Sequence, residues 1–371
     1  MTAVLQNYGS GTTFLSNLIA RPEFLSYVAE GIFQQSKWVQ SGIVQRNAAL
    51  DARAGGTRVR VPFFDAIAPT EVVIQSNHTW GSGGYMSPAG VTADEQIMTI
   101  LHRGFSYAAD DLSKLGSGAD PLAHVRDQLT AAINKLKTTT LLSQLAGIFG
   151  GIASDGILSA NTVNASFAGV PGSVTEANYL TAANVVKAKL KLGERSSDLD
   201  VIAMHSNVAA YLQQVGMLTF STSALSAAGS VVWGGGGVGV SSEDVAQFAG
   251  LRVVIDDQLT NLTGGTATHI VKYPVYLFKS GVISEGIQQD LRIATDRNIL
   301  SLQDVMAVDY HYGYHVLGTK WADAGDNPTN ATTSGNLGNT SSWTLAYVNS
   351  KNVPLVRLLV NTPFDTSAYS A

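Results

Sequence analysis

Three side chains that could bind a metal ion lie close together in the last quarter of the sequence. Asp309, His311 and His315 would share one face of an extended strand. Imidazole nitrogens and carboxylate oxygens are ligands of zinc. Residues four positions apart on a strand are separated by about 13 Å, so His311 and His315 could ligate one ion only if the strand bent. We interpret all three as strand-surface residues and predict no metal site.

A glycine pattern over residues 234–239, GxGxxG, matches a dinucleotide-binding fingerprint, and Asp256 follows it. A helix after these glycines could run only from about Ser242 to Phe248, which is too short for the crossover that such a fold needs. The glycines also belong to a longer Gly/Ser-rich stretch, residues 221–242. We therefore predict a surface loop there and no bound cofactor.

The combinations that could support catalysis lack the expected context. Ser206 follows His205, but the GxSxG motif of a nucleophile elbow is absent, and the hydroxyl is interpreted as a helix cap. The carboxylate pairs Asp110-Asp111 and Asp256-Asp257 are adjacent in sequence, so their side chains point apart in an extended chain. General acid–base chemistry needs convergent groups. We predict no catalytic residue, and the chain is expected not to be an enzyme.

Composition favours a large folded protein with few charges. The 371 residues are 45% hydrophobic and only 14% charged, with a net charge of −5. An ordinary protein carries about 25% charged residues, so much of this surface must be neutral or covered by partners. Extended nucleic-acid contact needs clustered Lys and Arg, which are lacking. A neutral or mildly acidic wall that merely encloses nucleic acid is compatible with this composition.

Cysteine is absent, which excludes disulfides, thiol nucleophiles and thiolate metal sites. Residues 1–30 lack the basic start and continuous apolar core of a secretory signal. The longest apolar tract, around residues 141–153, is too short to span a bilayer. We expect a soluble protein made inside a cell, with no membrane partner.

The element that the sequence predicts most clearly is a long helix over residues 120–151. Asp120 suits the N-cap and Pro121 the first helical position, apolar residues recur at three- and four-residue spacing, and Gly150 and Gly151 end it. Roughly 30 residues at 1.5 Å each make a rod of about 45 Å. Such a rod predicts a structural spine.

The segments around the spine predict mostly strands. Residues 57–64 alternate Arg58 and Arg60 with apolar residues, as a half-buried strand does, and residues 94–107 return after a glycine-rich tip at 76–90. An isolated hairpin is at best marginal in water, so this excursion is expected to lie on another subunit. Other predicted elements are helices at 175–192 and 207–215, the Ser206 cap, and strands at 199–204, 250–257, 269–279, 301–321 and 353–360, with Tyr310, Tyr312, Tyr314 and Val316 on one face.

The order of these parts resembles the major capsid protein of tailed bacteriophages over essentially the whole chain. The resemblance is carried by several stretches in order and spacing: RVPFFD (60–65), HRGFSYAADDLSKLGSGADPLAHV (102–125), LLSQLAGIF (141–149), VIAMHSNVAAYLQ (201–213), GLRVVIDDQL (250–259), YPVYLFKSGVI (273–283) and DRNILSLQDVMAVDYHYGYHVLGTKW (296–321).

The resemblance implies an α+β fold with a long spine helix, an extended β excursion and a central α+β lobe. Its parts would be an N-terminal arm at 1–54, an E-loop at 55–107, a P-domain at 108–154 and 296–371, and an A-domain at 155–295. It also implies a structural, self-assembling subunit that forms pentamers and hexamers of an icosahedral virion capsid enclosing double-stranded DNA, assembled in the host cytoplasm. Possible further partners are portal, scaffolding and decoration proteins.

Two departures from variants of that family shape the expectations. Some members crosslink an E-loop lysine to a neighbouring asparagine, but no lysine lies between Lys37 and Lys114, so we expect no such crosslink. Other members carry a helical scaffolding segment before the arm. Because the arm here begins close to Met1, scaffolding is expected to come from another protein or to be absent.

Two other functions stay open at this stage, a shell protein of a cellular encapsulating nanocompartment and an enzyme with an unrecognised site. For a shell protein, the expected assembly surface consists of apolar side chains that a monomer would leave exposed, together with aromatic anchors at the tip of the E-loop. The predicted residues are Val59, Val61, Phe63, Trp80, Tyr85 and Phe105.

Overall fold

The structure is a computed structural model that describes most of the chain. It covers residues 12–13, 38, 41–51, 55–67, 69, 71, 90–117, 120–151, 155–167, 174–221, 245–259, 262–263 and 271–365. The arm is therefore described only in part. The predicted E-loop tip and the glycine-rich stretch with its GxGxxG pattern lie largely outside these residues.

Strands make up most of the regular structure within these ranges. They are β1 (Thr12–Thr13), β2 (Val44–Arg46), β3 (Arg58–Phe64), β4 (Ala93–Thr99), β5 (Leu101–Asp110), β6 (Thr162–Asn164), β7 (Val201–Met204), β8 (Thr219–Ser221), β9 (Val245–Phe248), β10 (Leu251–Ile255), β11 (Leu262–Thr263), β12 (Val271–Phe278), β13 (Ile283–Asn298), β14 (Gln303–Val316), β15 (Thr319–Trp321), β16 (Trp343–Leu345) and β17 (Leu355–Val360). The α-helices are α1 (Asp111–Ser117), α2 (Pro121–Phe149), α3 (Ala182–Lys189) and α4 (Ser206–Gln214).

The spine helix α2 forms as its sequence predicts. The Asp120 side chain accepts a hydrogen bond from the Leu122 amide, Pro121 takes the first turn, and Gly150 ends the helix with a positive φ of 72°. Both ends therefore use residues whose geometry suits them. The C-terminal half is buried almost continuously, whereas the N-terminal half buries one stripe. The degree to which the protein surrounds the helix therefore increases from its N-terminal to its C-terminal half.

Within the described residues the strands form three sheets, and each sheet contributes side chains to the core around the spine. A five-stranded sheet has the order β1-β5-β14-β13-β2, a four-stranded sheet has the order β16-β15-β4-β3, and the largest sheet runs β6-β17-β12-β7-β10-β9-β8, with β11 beside β12. The predicted tyrosine face of β14 is buried and belongs to the same core cluster as the spine. A second core cluster lies in the lobe that contains α3 and α4. The fold is therefore α+β, with one core around the spine and a second core on the other face of the largest sheet.

The predicted return strand of the excursion is divided between two sheets. The chain leaves β4 at Thr99 and enters β5 at Leu101, with Ile100 between them. β4 pairs antiparallel with β3, but it also pairs with β15, where Lys320 lies opposite Ile97. β5 pairs with β14 instead. The base of the excursion is thus held by its own chain, which corrects the expectation of an isolated hairpin.

Two predictions for the central lobe are corrected. The helix expected over 175–192 is shorter: α3 begins after Thr181, whose side chain caps it, and it buries Val185 and Ala188. The apolar spacing of residues 175–192 places Val186 and Leu190 on one side of the predicted helix, and both are exposed. The cap of α4 is also not Ser206, because the His205 side chain accepts the Asn207 amide hydrogen bond and Ser206 begins the helix. The imidazole Nδ1 performs the role predicted for the hydroxyl.

Among the helices that the structure describes, none is long and apolar enough to cross a membrane.

Candidate functional site: the assembly surfaces

The base of the excursion places three of the predicted assembly residues on one face of β3. Val59 and Val61 are half-buried against the small cluster of Leu50, Met98 and Ile100. Phe63 makes an edge-to-face contact with Tyr347, with ring centroids 5.2 Å apart. These side chains are therefore partly covered within one subunit. A single subunit therefore covers these side chains more than we expected. Their role in assembly stays a prediction.

The opposite face of the same strand is more accessible than sequence reasoning indicated. Phe64 is 78% exposed, and Ile67, just beyond the strand, is equally so. Phe63, Phe64, Tyr347 and neighbouring residues line a half-open cleft of about 340 Å³ at the base of the excursion. The alternation of side chains along β3 could have indicated Phe64, because it must point away from Phe63.

Ion pairs hold this base in place. Arg60 lies 3.3 Å from Glu95 across the β3–β4 pair, and Lys320 of β15 lies 3.0 Å from Asp94. The hydrogen bond from the Glu95 amide has the largest effect in holding the pKa of the Asp94 carboxyl below its usual value, and the hydrogen bond from Lys320 has the next largest. The base is thus cross-connected to a strand far away in sequence. Since the pairs are solvent-accessible, their main effect is on geometry rather than on stability.

Phe105 is half-buried beside the main core and contacts the Tyr107 ring edge-to-face at 5.8 Å. It therefore does not present a free apolar surface. Trp80 and Tyr85 lie outside the described residues, so the predicted aromatic anchors at the tip stay predictions.

The predicted metal candidates have separate protein partners. Asp309 pairs with Arg292 at 3.0 Å, and this arginine holds the pKa of the Asp309 carboxyl below its usual value. His311 lies against His102 of β5, with ring centroids 4.4 Å apart, and burial lowers its pKa. His315 is buried elsewhere and bonds to Gln96. Within the described ranges, no three or more His, Cys, Asp or Glu side chains converge on a point where they could hold a metal ion.

The two carboxylates of the Asp256-Asp257 pair also have different partners. Asp256 is buried and accepts the Trp38 indole hydrogen bond at 2.5 Å, and burial raises its pKa. Asp257 accepts the Ser206 amide hydrogen bond at 3.2 Å. Trp38 also contacts Phe278 edge-to-face at 5.3 Å, so this residue is held against the core of the protein. These contacts are structural, and sequence reasoning missed the role of Trp38.

The spine is attached to two of the three sheets by cations, of which Arg357 is buried and Lys137 is half-buried. At its C-terminal end, Arg357 of β17 donates to the carbonyl oxygens of Phe149 and Gly150. Near its middle, Lys137 lies 2.7 Å from Glu285 of β13 and over the Tyr312 ring. A cation at the C-terminus of a helix is stabilised by the carbonyl groups that end there. The spine is therefore attached to two of the sheets that pack around its core.

An apolar surface that sequence reasoning missed lies at the turn between β13 and β14. Leu300 is 94% exposed and Ile299 and Leu302 are also exposed, and so are Leu112 and Leu115 on the adjoining helix α1. The tract Ile299-Leu300-Ser301-Leu302 resembles strand interior by composition, but it forms the turn. A monomer rarely exposes so many large apolar side chains together unless a partner covers them.

The fold with this spine, excursion and lobe is that of tailed-phage capsid proteins. The solved capsid of cyanophage Pam1 aligns over 92% of this chain and 96% of its own, with a TM-score of 0.54 and 11% identity. The capsid of Ralstonia phage GP4 aligns over the same shares with a TM-score of 0.53 and 9% identity. At these identities the likeness shows the fold.

The sequence comparisons give the family. A family model described as Gp13-like, major capsid protein 13-like, matches residues 136–356. The major capsid protein of Bacillus phage SPP1 is 25% identical over 344 residues, which span 90% of this chain and 94% of that protein. The chain belongs to the Gp13-like family of major capsid proteins, so it is a phage structural protein of the virion capsid with a shell-forming role. The resemblance and the α+β fold inferred from the sequence are confirmed.

Proposed function

We propose that copies of this chain assemble as pentamers and hexamers that close into an icosahedral shell around double-stranded DNA. The family match over residues 136–356 carries the proposal. Homo-oligomers close by symmetry, and a large shell built from one kind of chain needs both five-fold and six-fold rings. The low charge content and net charge of −5 suit an inner wall that does not bind tightly to the DNA it encloses.

We propose that the subunit has four parts with different roles in assembly. The arm is residues 1–54, the E-loop 55–107, the P-domain 108–154 and 296–371, and the A-domain 155–295. Support comes from the core cluster around α3 and α4, and from the spine, whose buried side chains share the other cluster with those of the five-stranded sheet. The E-loop has a fixed base in the four-stranded sheet. From such a base, the segment with Trp80 and Tyr85 would reach a neighbouring copy.

The proposed role is structural and involves no catalysis and no cofactor. Portal, scaffolding and decoration proteins are proposed as further partners, and host cytoplasm as the place of synthesis and assembly. The nanocompartment shell is the alternative function. The named sequence relative is a phage capsid protein, which favours a DNA container over a container for an enzyme.

The experiment is to determine what the shells contain. Particles that carry this chain are purified from producing cells, treated with nuclease, and extracted for DNA and for protein cargo. We expect closed particles holding nuclease-resistant double-stranded DNA, while subunits dissociated before treatment protect none. Closed particles that hold one enzyme and no protected DNA would instead support the nanocompartment function.

A further inference from the structure

The helix α3 has two apolar sides, and the fold buries only one of them. The buried side packs into the second core cluster through Val185, Ala188 and Leu192. Ala183, Val186 and Leu190 repeat the same spacing on another side, here called the exposed face of α3. Val186 and Leu190 are 52% and 64% exposed. This spacing is that of the seam along which two helices pack.

The exposed face of α3 is held in a fixed orientation. At the start of the helix, the Thr181 hydroxyl accepts a hydrogen bond from the Asn184 amide at 3.3 Å. The buried Asn184 side chain donates to the carbonyl oxygens of Ala177 and Tyr179. The helical conformation continues through the C-cap Leu190, with φ −62° and ψ −16°. The helix therefore cannot rotate to bury its second apolar side without losing these hydrogen bonds.

Lysines lie on both sides of this apolar seam. At 3.6 residues per turn, Lys187 and Lys191 lie on one side of it and Lys189 on the other. Residues 177–193 contain these three lysines and no acidic residue, in a chain whose net charge is −5. Lys189 donates to the Ala249 carbonyl oxygen at 3.2 Å, while Lys187 and Lys191 are exposed and four positions apart. Like charges at that spacing repel each other, so the exposed face attracts negative charge.

Three kinds of molecule could meet this surface, and they differ in how much of it they cover. The same face of a second copy would bring lysines against lysines, which is unfavourable. A nucleic-acid backbone would pair with the lysines through its phosphates, but it would leave Val186 and Leu190 in water. An amphipathic helix with carboxylates beside its apolar seam would cover the apolar side chains and pair with the lysines.

We propose that the exposed face of α3 docks an amphipathic helix of another protein, one that carries acidic residues on both sides of its apolar seam. The inference goes beyond the proposed function, because the surface belongs to the single subunit. A helix of about two turns offers little area, so each contact is weak. A partner that engages several copies at once would gain avidity, and this part rests on the proposed shell.

A synthetic peptide tests whether the surface has this preference. The probe is a fluorescent helical peptide of about three heptads, with Leu along the seam and Glu at the flanking positions. One control peptide has the same composition in shuffled order, and another has Lys in place of Glu. Each is titrated with the unassembled subunit, and fluorescence anisotropy is measured. We expect saturable binding of the acidic amphipathic peptide, at least about tenfold weaker binding of both controls, and weaker binding at high salt.

Matched variants test which side chains bind the peptide. Lys187→Glu and Leu190→Ser should each weaken binding about tenfold, the first by reversing a charge and the second by removing apolar area. Lys135→Glu and Leu136→Ser are the controls, because both residues are exposed on the spine helix, and they should bind like the parent. All four side chains lie at the surface, so the circular dichroism of the variants should match that of the parent.

The outcomes distinguish this inference from its alternatives and from the proposed function. Absence of saturable binding, or equal binding of the shuffled peptide, would overturn it. Sensitivity to Lys187→Glu but not to Leu190→Ser, together with competition by duplex DNA, would instead assign the face to a polyanion. Binding to subunits but not to assembled shells would show that a neighbouring copy covers it. A chain that binds the peptide but forms no shell would contradict the proposed function alone.

Discussion

His315 is a buried histidine that joins β14 to the base of the excursion. It is 7% exposed, and its Nε2 lies 2.8 Å from Gln96 Oε1. The same oxygen accepts the Gly318 amide hydrogen bond, so Nε2 must carry the proton. Burial lowers the pKa of His315 from 6.5 to about 4. The histidine is therefore neutral in the folded subunit at neutral pH.

This burial predicts a loss of stability in acid. Between pH 6.5 and about 4 the unfolded chain binds a proton at His315 that the folded chain does not, so stability is full above that window and falls as the pH is lowered. Over that window, the unfavourable protonation of His315 lowers the free energy of unfolding by about 3 kcal/mol in total. His315→Gln should remove this part of the pH dependence, as measured by urea unfolding of the unassembled subunit across that range.

His124→Gln is the matched control, because His124 is exposed on the spine helix. It should retain the parental pH dependence. If His315→Gln loses as much stability in acid as the parent does, the buried histidine is not responsible.

Arg357 is expected to be the most costly charged residue to remove. It is 1% exposed and donates to carbonyl oxygens at the end of the spine, so Arg357→Leu would leave buried acceptors without this donor. Removing a charged donor from buried carbonyl acceptors costs about 1–3 kcal/mol. Denaturant unfolding of the subunit measures this.

Arg292→Leu provides the comparison for Arg357, because Arg292 forms an accessible pair with Asp309. Exposed pairs contribute about 0–1 kcal/mol, so this variant should unfold near the parent. Equal effects of the two substitutions would contradict the role assigned to Arg357.

Among the helices and strands, the spacing of apolar residues correctly predicted those elements whose position depends mainly on their own sequence. The spine and the tyrosine face of β14 followed from periodicity, since one repeating stripe must be buried. The α3 face was wrong because the segment has apolar residues on more than one side: Val185 is buried and its neighbour Val186 is exposed. Only packing against β17 and β6 in the fold decides between them.

Contacts between distant segments lay beyond sequence reasoning. The pairing of β4 with β15 places Lys320 opposite Ile97. Neither segment has a residue pattern from which this partner could be predicted. The half-burial of Val59 and Val61 depends on the same assembly of strands. The exposed turn at residues 299–302 was missed for a related reason, because a tract of Ile and Leu is also typical of a buried strand.

Gly147 is a position where the element packing makes a sharp prediction. A Cβ there would overlap the Leu337 carbonyl oxygen and approach Trp343 Nε1 to 2.8 Å. By helix propensity alone, Gly→Ala in a helix stabilises by about 1 kcal/mol. We expect Gly147→Ala to lower thermal stability instead, because the loop carrying Leu337 would be displaced from the spine.

Gly151→Ala serves as the control, since a Cβ at that position would meet nothing within 4 Å. It should melt close to the parent. A Gly147→Ala subunit that melts at or above the parental temperature would contradict the close packing of the loop on the spine.

For the whole molecule, the composition predicts a shell held by non-covalent contacts alone. The chain has no cysteine, and no lysine occurs between Lys37 and Lys114, so neither a disulfide nor an E-loop lysine crosslink is available. Purified shells boiled in denaturant should run as single-chain bands on a reducing gel. A ladder of covalent multimers would show that another crosslink exists.

The spine, the two cores and the excursion are proposed to act together as one shell-forming subunit. The most direct measurement is a cryo-electron microscopy reconstruction of particles formed by this chain. The account predicts closed icosahedral shells with rings of five and six subunits, each fitting the spine helix α2 and the sheet of β5, β14 and β13. Under assembly conditions, a population of stable monomers only, or of open aggregates without five-fold and six-fold rings, would contradict it.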